Sequence, residues 1–249
     1  MNIGRFVPCY VDALYPEVGA STYKLLRHYG LQVDYPERQT CCGQPQGNAG
    51  FERMSEELAV KFEENFRDFD YIVAPSASCA AYVKCFHPHI LEGAHHPCTT
   101  TDRIMDVVEF LHDIVKVKEV PGRFPHRVSL HNSCHGVREL GLSTPSERMV
   151  EPRFNKIRNL LQLVKDIEVV EPERPDECCG FGGMFSIEEP DVSTRMGIDK
   201  LHRHEETGAE YVTGADSSCL MHLAGIARRQ GSQLQFKHVV EILTAGSGS

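Results

Sequence analysis

Thr40-Cys41-Cys42-Gly43 and Glu177-Cys178-Cys179-Gly180 are two copies of one motif, a pair of adjacent cysteines followed by glycine, in a chain of 249 residues. Adjacent cysteines seldom form a disulfide with each other, because closing the ring strains the peptide bond between them. They suit a cluster of several metal atoms, in which each thiolate binds a different iron. Two such motifs in one chain predict metal–sulfur chemistry rather than disulfides.

Further cysteines stand at matched places around the two motifs. The first half contains Cys9, Cys41, Cys42 and Cys79, which we call the first cysteine group, and the second half contains Cys134, Cys178, Cys179 and Cys219, the second cysteine group. The segments that precede the last cysteine of each group also match. Asp70-Tyr71-Ile72-Val73 lies before Cys79, and Glu210-Tyr211-Val212-Thr213 lies at the same distance before Cys219. A repeated set of cysteines with matching flanks indicates a duplicated domain.

A linker rich in turn-forming residues separates the two halves. Pro121-Gly122 and Pro125 lie within residues 118–126, and such residues end helices and strands. We therefore expect an N-terminal cysteine-rich domain over residues 1–120 and a C-terminal one over residues 127–245. The last four residues, Gly-Ser-Gly-Ser, are expected to form a tail outside the fold.

Each half has the same predicted order of strands and helices. Strands are predicted over Ile3–Val7, Leu31–Tyr35, Tyr71–Ala74, Arg127–Leu130, Ile167–Val170 and Tyr211–Thr213, and helices over Ser21–Tyr29, Phe51–Phe66, Ile104–Lys118, Ser146–Leu163 and Asp191–Thr207. This alternation implies an α/β fold of two tandem pseudo-symmetric domains, each a small, mainly parallel sheet flanked by helices. Each cysteine or cysteine pair follows a strand, so each group is expected to converge at one sheet edge.

The composition is that of an ordinary globular protein, with 41% apolar and 24% charged residues. A formal net charge of −9 argues against nucleic acid as a partner, because binding it selects an excess of lysine and arginine. No apolar run is long enough to span a membrane, and the N-terminus does not resemble a secretory signal. The chain is therefore expected to be cytoplasmic, where cysteine patterns indicate metal binding or catalysis.

The spacing of the predicted ligands bears on the kind of metal. Structural zinc sites usually use short Cys-x-x-Cys knuckles, whereas here the cysteines are single or adjacent and widely separated. This favours a larger cofactor, with zinc as the alternative. Cys79 and Cys219 are expected to open helices, whose N-termini favour thiolates. Cys85 and Cys98 lie outside the repeat and are expected to be ordinary cysteines.

The motifs resemble a known family. Matching segments are Phe6–Asp12, Thr40–Pro45, Glu177–Gly183 and Ser218–His222. They resemble the cysteine-rich domain with the Cys-Cys-Gly signature, which occurs in heterodisulfide reductase and in the iron–sulfur subunits of glycolate oxidase and anaerobic glycerol-3-phosphate dehydrogenase. The resemblance implies one iron–sulfur cluster in each domain, of the 4Fe-4S kind, bound by the two cysteine groups.

One departure from the family pattern leaves the cluster type open. The family motif ends in Cys-x-x-Cys, but the last position is Tyr82 in the first half and His222 in the second. With four cysteines per half, both a cubane and a non-cubane cluster are compatible with the sequence. His222 is a candidate fifth ligand or a hydrogen-bond donor to the site, and Tyr82 is expected to pack in the core.

The resemblance is strongest to family members that take part in lactate utilization. It implies an iron–sulfur subunit of a cytoplasmic oxidoreductase complex that oxidises L-lactate to pyruvate, with partner subunits that include a ferredoxin-type iron–sulfur protein. The chain has no Gly-x-Gly-x-x-Gly motif, P-loop or ferredoxin-type run of its own, which agrees with dependence on partners. The alternatives are a heterodisulfide reductase-type thiol–disulfide oxidoreductase and a non-enzymatic, metal-stabilised scaffold subunit.

Two residues are candidates for contact with a small organic acid. Arg138 has the guanidinium that suits a carboxylate, and His135 is able to move a proton near neutral pH. The commoner roles of such residues are a surface salt bridge and a helix cap. No other catalytic residue is predicted.

Overall fold

The structure is a computed structural model that describes residues 1–246, and it contains two four-stranded parallel sheets. The first sheet consists of β1 (Asn2–Arg5), β2 (Gln32–Asp34), β3 (Tyr71–Ala74) and β4 (Ile104–Asp106), and the second of β5 (Arg127–Leu130), β6 (Glu168–Val170), β7 (Tyr211–Gly214) and β8 (Gln235–His238). Their orders are β2-β1-β3-β4 and β6-β5-β7-β8. The predicted α/β class with two similar halves is confirmed. Of the predicted tail, residues 247–249 lie outside the described residues.

Helices connect the strands and flank both sheets. In the first half they are α1 (Cys9–Leu14), α2 (Pro16–His28), α3 (Gln44–Asn48), a 3-10 turn (Glu52–Ser55), α4 (Glu56–Phe66), α5 (Ala77–Gly93) and α6 (Val107–Glu109), which continues as a π-helix (Phe110–Val115). In the second half they are α7 (Cys134–Arg138), α8 (Lys156–Leu161), α9 (Phe185–Glu188), α10 (Pro190–Glu205), α11 (Ser217–Gln230) and α12 (Val239–Leu243). No helix in residues 1–246 has the length and apolar character that a membrane crossing requires.

The strand order places a crevice at the carboxyl end of each sheet. In the first half the chain leaves β1 towards β2 on one side and later returns to β3 on the other side, so the connections diverge between β1 and β3. Where the connections diverge in this way, the loops leave room for a ligand. Cys9 begins the helix that follows β1, and Cys79 lies in the first turn of the helix that follows β3. The second half repeats this arrangement.

A fourth strand in each half is missing from the sequence prediction. The helix predicted over 104–118 is wrong at its start, because Ile104, Met105 and Asp106 form β4 and pair with the end of β3. All three residues are buried, so they lack the alternation of exposed and buried positions that marks a half-exposed strand. Its counterpart β8 extends the second sheet in the same way, pairing with β7.

The helix predicted over Ser146–Leu163 is also wrong over most of its length. Only Lys156–Leu161 is helical. Pro152 lies within the predicted helix and disfavours it, and the amide of Ser146 donates to Asp176 instead of to a helical carbonyl. The helix begins where the Asn155 side chain accepts a hydrogen bond from the amide of Arg158, a favourable N-cap.

The two halves share one hydrophobic core. A single cluster of buried side chains runs from Ile3 in β1 to Leu243 in α12. Helix α12 of the second half packs against α2 of the first, and α6 of the first half packs against α8 of the second. Lys156 also reaches across to Asp113, with Nζ 2.6 Å from Oδ2. The halves are therefore expected to unfold together. The domain limits given above, residues 1–120 and 127–245, remain a prediction.

Replacing Leu243 by alanine tests this shared core. Leu243 is fully buried where α12 meets the first half, so Leu243→Ala should lower the free energy of unfolding by about 2–5 kcal/mol. Urea denaturation should show one transition, and hydrogen exchange should show lost protection in both halves. Leu14→Ala, at a site that is 54% exposed, is the control and should change stability little. Loss of protection confined to the second half would contradict a shared core.

Candidate metal centre between the two halves

The first cysteine group converges at the carboxyl end of the first sheet. The Sγ atoms of Cys9 and Cys41 lie 3.7 Å apart. Cys41 also interacts with the thiol of Cys42, and Cys42 with that of Cys79. Four sulfur atoms that are separated by up to 70 residues in sequence therefore form one continuous chain of contacts.

The second cysteine group forms the same chain of contacts. Cys178 interacts with Cys134 on one side and with Cys179 on the other, and Cys179 in turn interacts with Cys219. All eight cysteines that the sequence analysis selected are thus brought together, four in each half. Cys85 and Cys98, which the repeat excludes, are exposed and lie outside both groups.

The thiols within each group differ in how readily they ionise. Hydrogen bonds from Cys42 and Cys9 lower the pKa of Cys41 to about 3, and hydrogen bonds from Cys134 and Cys179 lower the pKa of Cys178 to about 2. The pKa values of their direct hydrogen-bond partners Cys42, Cys134 and Cys179 are raised instead. The pKa of Cys9 is also raised, because its proton is shared with Cys41. Each group therefore presents at least one thiolate, the form that binds a metal.

The glycine of each Cys-Cys-Gly motif is required by the turn. Gly43 and Gly180 have φ angles of 91° and 87°, which side chains rarely adopt. Their amides point back at the first cysteine of the pair, with N–Sγ distances of 3.5 Å to Cys41 and 3.4 Å to Cys178. This hydrogen bond stabilises negative charge on that sulfur.

A serine holds each of these turns from behind. The hydroxyl of Ser55 donates to the carbonyl of Gly43 at 3.0 Å, and that of Ser193 donates to the carbonyl of Gly180 at 2.7 Å. A Cβ on Gly180 would come within 2.6 Å of the Ser193 carbonyl oxygen. The sequence analysis did not predict a role for either serine, because serines near the start of helices are common and the neighbouring residues do not distinguish these two.

The two residues at the fifth-cysteine positions lie behind the motif turns. The hydroxyl of Tyr82 is 3.4 Å from Ser55 Oγ, and the side chain is buried, in line with its expected packing role. His222 Nε2 is 3.4 Å from the carbonyl oxygen of Ser193, and its ring lies 5.8 Å from that of Phe181. Of the two roles considered for His222, a hydrogen bond beside the site fits this position better than a ligand.

Both cysteine groups line one cleft between the halves, with an empty volume of about 810 Å³ that is partly open to solvent. Hydrogen bonds at the cleft link the two halves. Asp216 Oδ1 of the second half accepts from the amide and hydroxyl of Ser78 and from the hydroxyl of Ser76 in the first half, at 2.8–2.9 Å. The walls of the cleft are joined by Asn48, which donates to the carbonyl of Gly182 at 3.3 Å. The two groups thus face the same space.

The structure separates the two candidate acid-binding residues. His135 lines the cleft, where Nε2 is 3.2 Å from Gln44 Nε2 of the other half and Nδ1 is 3.5 Å from Cys134 Sγ. Arg138 does not line the cleft. Its guanidinium is half exposed. It forms a salt bridge with Glu147 at 3.6 Å and lies 4.0 Å from the carboxylate of Asp176. It therefore has the surface salt-bridge role.

One polar residue beside the second cysteine group was missed by the sequence analysis. His131 follows β5, is 1% exposed, and has no hydrogen-bond partner on either ring nitrogen among the described residues. Burial and the charge of Lys200 lower its pKa to about 3, so the ring is neutral at physiological pH. The His131-Asn132-Ser133-Cys134-His135 run, with histidines flanking a predicted ligand, was the available signal.

The fold and the paired cysteine groups define a class of protein: two tandem cysteine-rich α/β domains whose motifs share a cleft. The profile of the CCG family, described as "Cysteine-rich domain", matches residues 3–84 and 128–224. These stretches make up well over half of the chain. The chain belongs to the cysteine-rich (CCG) domain family.

Named relatives are similar along their whole length. The chain is 37% identical over 249 residues to "Lactate utilization protein A" of Geobacillus kaustophilus, covering 98% of this chain and 99% of the relative. It is 35% identical over 247 residues to the protein of the same name from Oceanobacillus iheyensis, covering 98% and 96%.

A solved structure supports the fold. The crystal structure of a hypothetical protein from Helicobacter pylori matches with a TM-score of 0.65 at 8% identity. The match covers 100% of this chain and 49% of that protein, so the chain spans about half of its length. At this identity the likeness concerns the fold alone.

Substituting Gly180 by alanine should damage the second site specifically. Both the positive φ and the approach to the Ser193 carbonyl oppose a side chain, so the turn that holds Cys178 and Cys179 would shift. We expect a loss of about 1–3 kcal/mol in stability and of the metal bound in that half, measured by thermal unfolding and elemental analysis. Gly208→Ala is the matched control, since its φ of 67° is also positive but nothing lies within 4 Å of the added Cβ. Equal metal content in the two variants would show that this turn does not shape the site.

Proposed function

We propose that the chain is the iron–sulfur subunit of a cytoplasmic oxidoreductase complex that oxidises L-lactate to pyruvate, with one cluster held by each cysteine group. The observation that carries this proposal is the convergence of eight thiols, four from each half, on one cleft. One-electron transfer is the chemistry that a bound iron–sulfur cluster supplies. The relatives named lactate utilization protein A, similar over nearly the full chain, supply the metabolic context.

In neither cysteine group do all four sulfur atoms surround one point, as the ligands of a single zinc ion would. Four cysteines around one zinc would have all their sulfur atoms about 3.8 Å from one another, given Zn–S bonds of about 2.3 Å. Among residues 1–246, the only group of three or more candidate ligand atoms all within 4.8 Å of one another is His131, Cys179 and Cys219. Each cysteine group is instead an open chain of contacts, so neither group is arranged as the four ligands of one zinc ion would be.

Backbone groups around the thiols are arranged to hold negative charge. The amides of Gly43 and Gly180 face the first sulfur of each pair. Cys79 and Cys219 lie in the first turns of α5 and α11, where the helix dipole favours an anion. Iron–sulfur clusters bound by cysteines are themselves anionic, and hydrogen bonds of this kind tune their reduction potentials.

The lining of the cleft supports electron relay rather than acid binding by this chain. Among the described residues, those that line the cleft include no lysine or arginine. A lactate carboxylate would therefore meet thiolates and Asp216 without a cationic partner, which is unfavourable. We infer that the organic acid binds to a partner protein of the complex, and that a ferredoxin-type iron–sulfur protein exchanges electrons with this chain.

Metal and sulfide analysis of anaerobically purified protein tests the cofactor. We expect about four irons and matching acid-labile sulfide per half, with an electron paramagnetic resonance signal on reduction. Cys42→Ser should remove the iron of the first half and leave that of the second. Cys98→Ser, at an exposed cysteine outside both groups, is the matched control and should retain all of it. Zinc as the only metal, or a colourless protein that does not take up iron on reconstitution, would refute the proposal.

Growth on L-lactate tests the reaction. A strain that lacks the gene should fail to grow on L-lactate as sole carbon source, and its extracts should lose lactate-dependent dye reduction. The native gene and Cys98→Ser should restore both, whereas Cys42→Ser should not. Normal growth of the deletion strain, together with turnover of a disulfide substrate by the purified protein, would favour the heterodisulfide reductase-type alternative.

A further inference from the structure

The second half contains a buried imidazole beside two cysteines of the second group, and it has no hydrogen-bond partner among the described residues. His131 is 1% exposed, and both of its ring nitrogens lack a hydrogen-bond partner among the described residues. A buried polar group left unsatisfied is destabilising, so native proteins seldom retain one without a reason. A group bound in the second cysteine group would provide the missing partner.

The geometry aims this imidazole at two of the predicted ligands. A ring nitrogen of His131 and the Sγ atoms of Cys179 and Cys219 all lie within 4.8 Å of one another. The backbone of His131 is held by its amide, which donates to the carbonyl of Thr213 at 2.7 Å, and a Cβ added at Gly214 would lie 3.6 Å from the His131 ring. Any side chain on Gly214 would come within 2.8 Å of the His131 carbonyl oxygen.

The corresponding position of the first half is apolar. Counting back three residues from the first cysteine of each group gives His131 before Cys134 and Phe6 before Cys9. Phe6 is fully buried and makes edge-to-face contacts with Phe62 and Phe66 at centroid distances of 5.2 and 5.8 Å. The two halves therefore match in their cysteines but differ in the buried ring at this position.

We propose that a ring nitrogen of His131 contacts the metal–sulfur group of the second half and makes that site chemically distinct from the site of the first half. This inference rests on the proposed function, since it requires a metal–sulfur group in the second cysteine group. Replacing cysteine by histidine, or adding a hydrogen bond to a cluster, raises the reduction potential. The second site is therefore the more oxidising of the two, and electrons that enter through the first half settle in the second.

Pulsed electron paramagnetic resonance on the reduced protein tests this contact. Protein made with ¹⁵N-histidine should show a histidine nitrogen coupling on the signal of the second half, and this experiment leaves the fold unaltered. His131→Phe, which copies the residue of the first half, should abolish the coupling, whereas His222→Phe and His135→Phe should keep it, the latter although His135 Nδ1 lies 3.5 Å from Cys134 Sγ. Absence of any histidine coupling in the native protein, or its persistence in His131→Phe, would overturn the proposal.

A redox titration supplies the second measurement. In the native protein we expect two separated reduction steps, and in His131→Phe the higher step should move towards the lower one. Iron and sulfide content of His131→Phe identifies a variant that has merely failed to fold. Native protein without iron would refute the proposed function itself. Native protein with two clusters of equal potential and no histidine coupling would refute only the role of His131.

Discussion

Crowding of four thiols at the carboxyl edge of each sheet is the constraint on which the rest of the structure depends. Sulfur atoms as close as the 3.7 Å between Cys9 and Cys41 cannot all ionise without strong mutual repulsion unless a cation lies among them. Without a metal, the protein shares protons along each chain of thiols, so that Cys41 and Cys178 carry charge while their neighbours stay protonated. The amides of the turn glycines stabilise that charge, and this arrangement favours cations bound at the same place.

The topology explains how residues so far apart in sequence come together. A parallel strand order that reverses direction between β1 and β3 opens a crevice at the carboxyl ends of those strands, and the repeat does the same between β5 and β7. Duplication then allows the two crevices to face each other, with Asp216 and the serines at the start of α5 joining them. The shared core fixes this orientation, because α12 and α6 each pack on the opposite half.

Much of this arrangement could be predicted from the sequence. The alternation of strands and helices predicted the α/β class, and the repeat predicted the two halves and the two groups of cysteines, each of which follows a strand. Strand β4 could not be found in this way, since three fully buried residues carry no alternation. Residues that act through contacts made only in three dimensions also escaped. His131 lies beside Cys179 and Cys219 because β5 and β7 are neighbours, and Arg138 turns to the surface although its sequence position is close to Cys134.

Divergence between the halves is most informative where the repeat is otherwise strict. The cysteines, the turn glycines and the serines behind them are the same in both copies, so they define what any bound group of this kind requires. At two positions of the repeat the first half has an apolar or phenolic ring and the second half has an imidazole. Phe6 corresponds to His131, and Tyr82 corresponds to His222. A relay between two identical sites has no preferred direction, whereas sites with different hydrogen-bonding surroundings differ in potential. Under the function proposed above, the histidines of the second half would give a symmetric, duplicated scaffold a direction for electron flow.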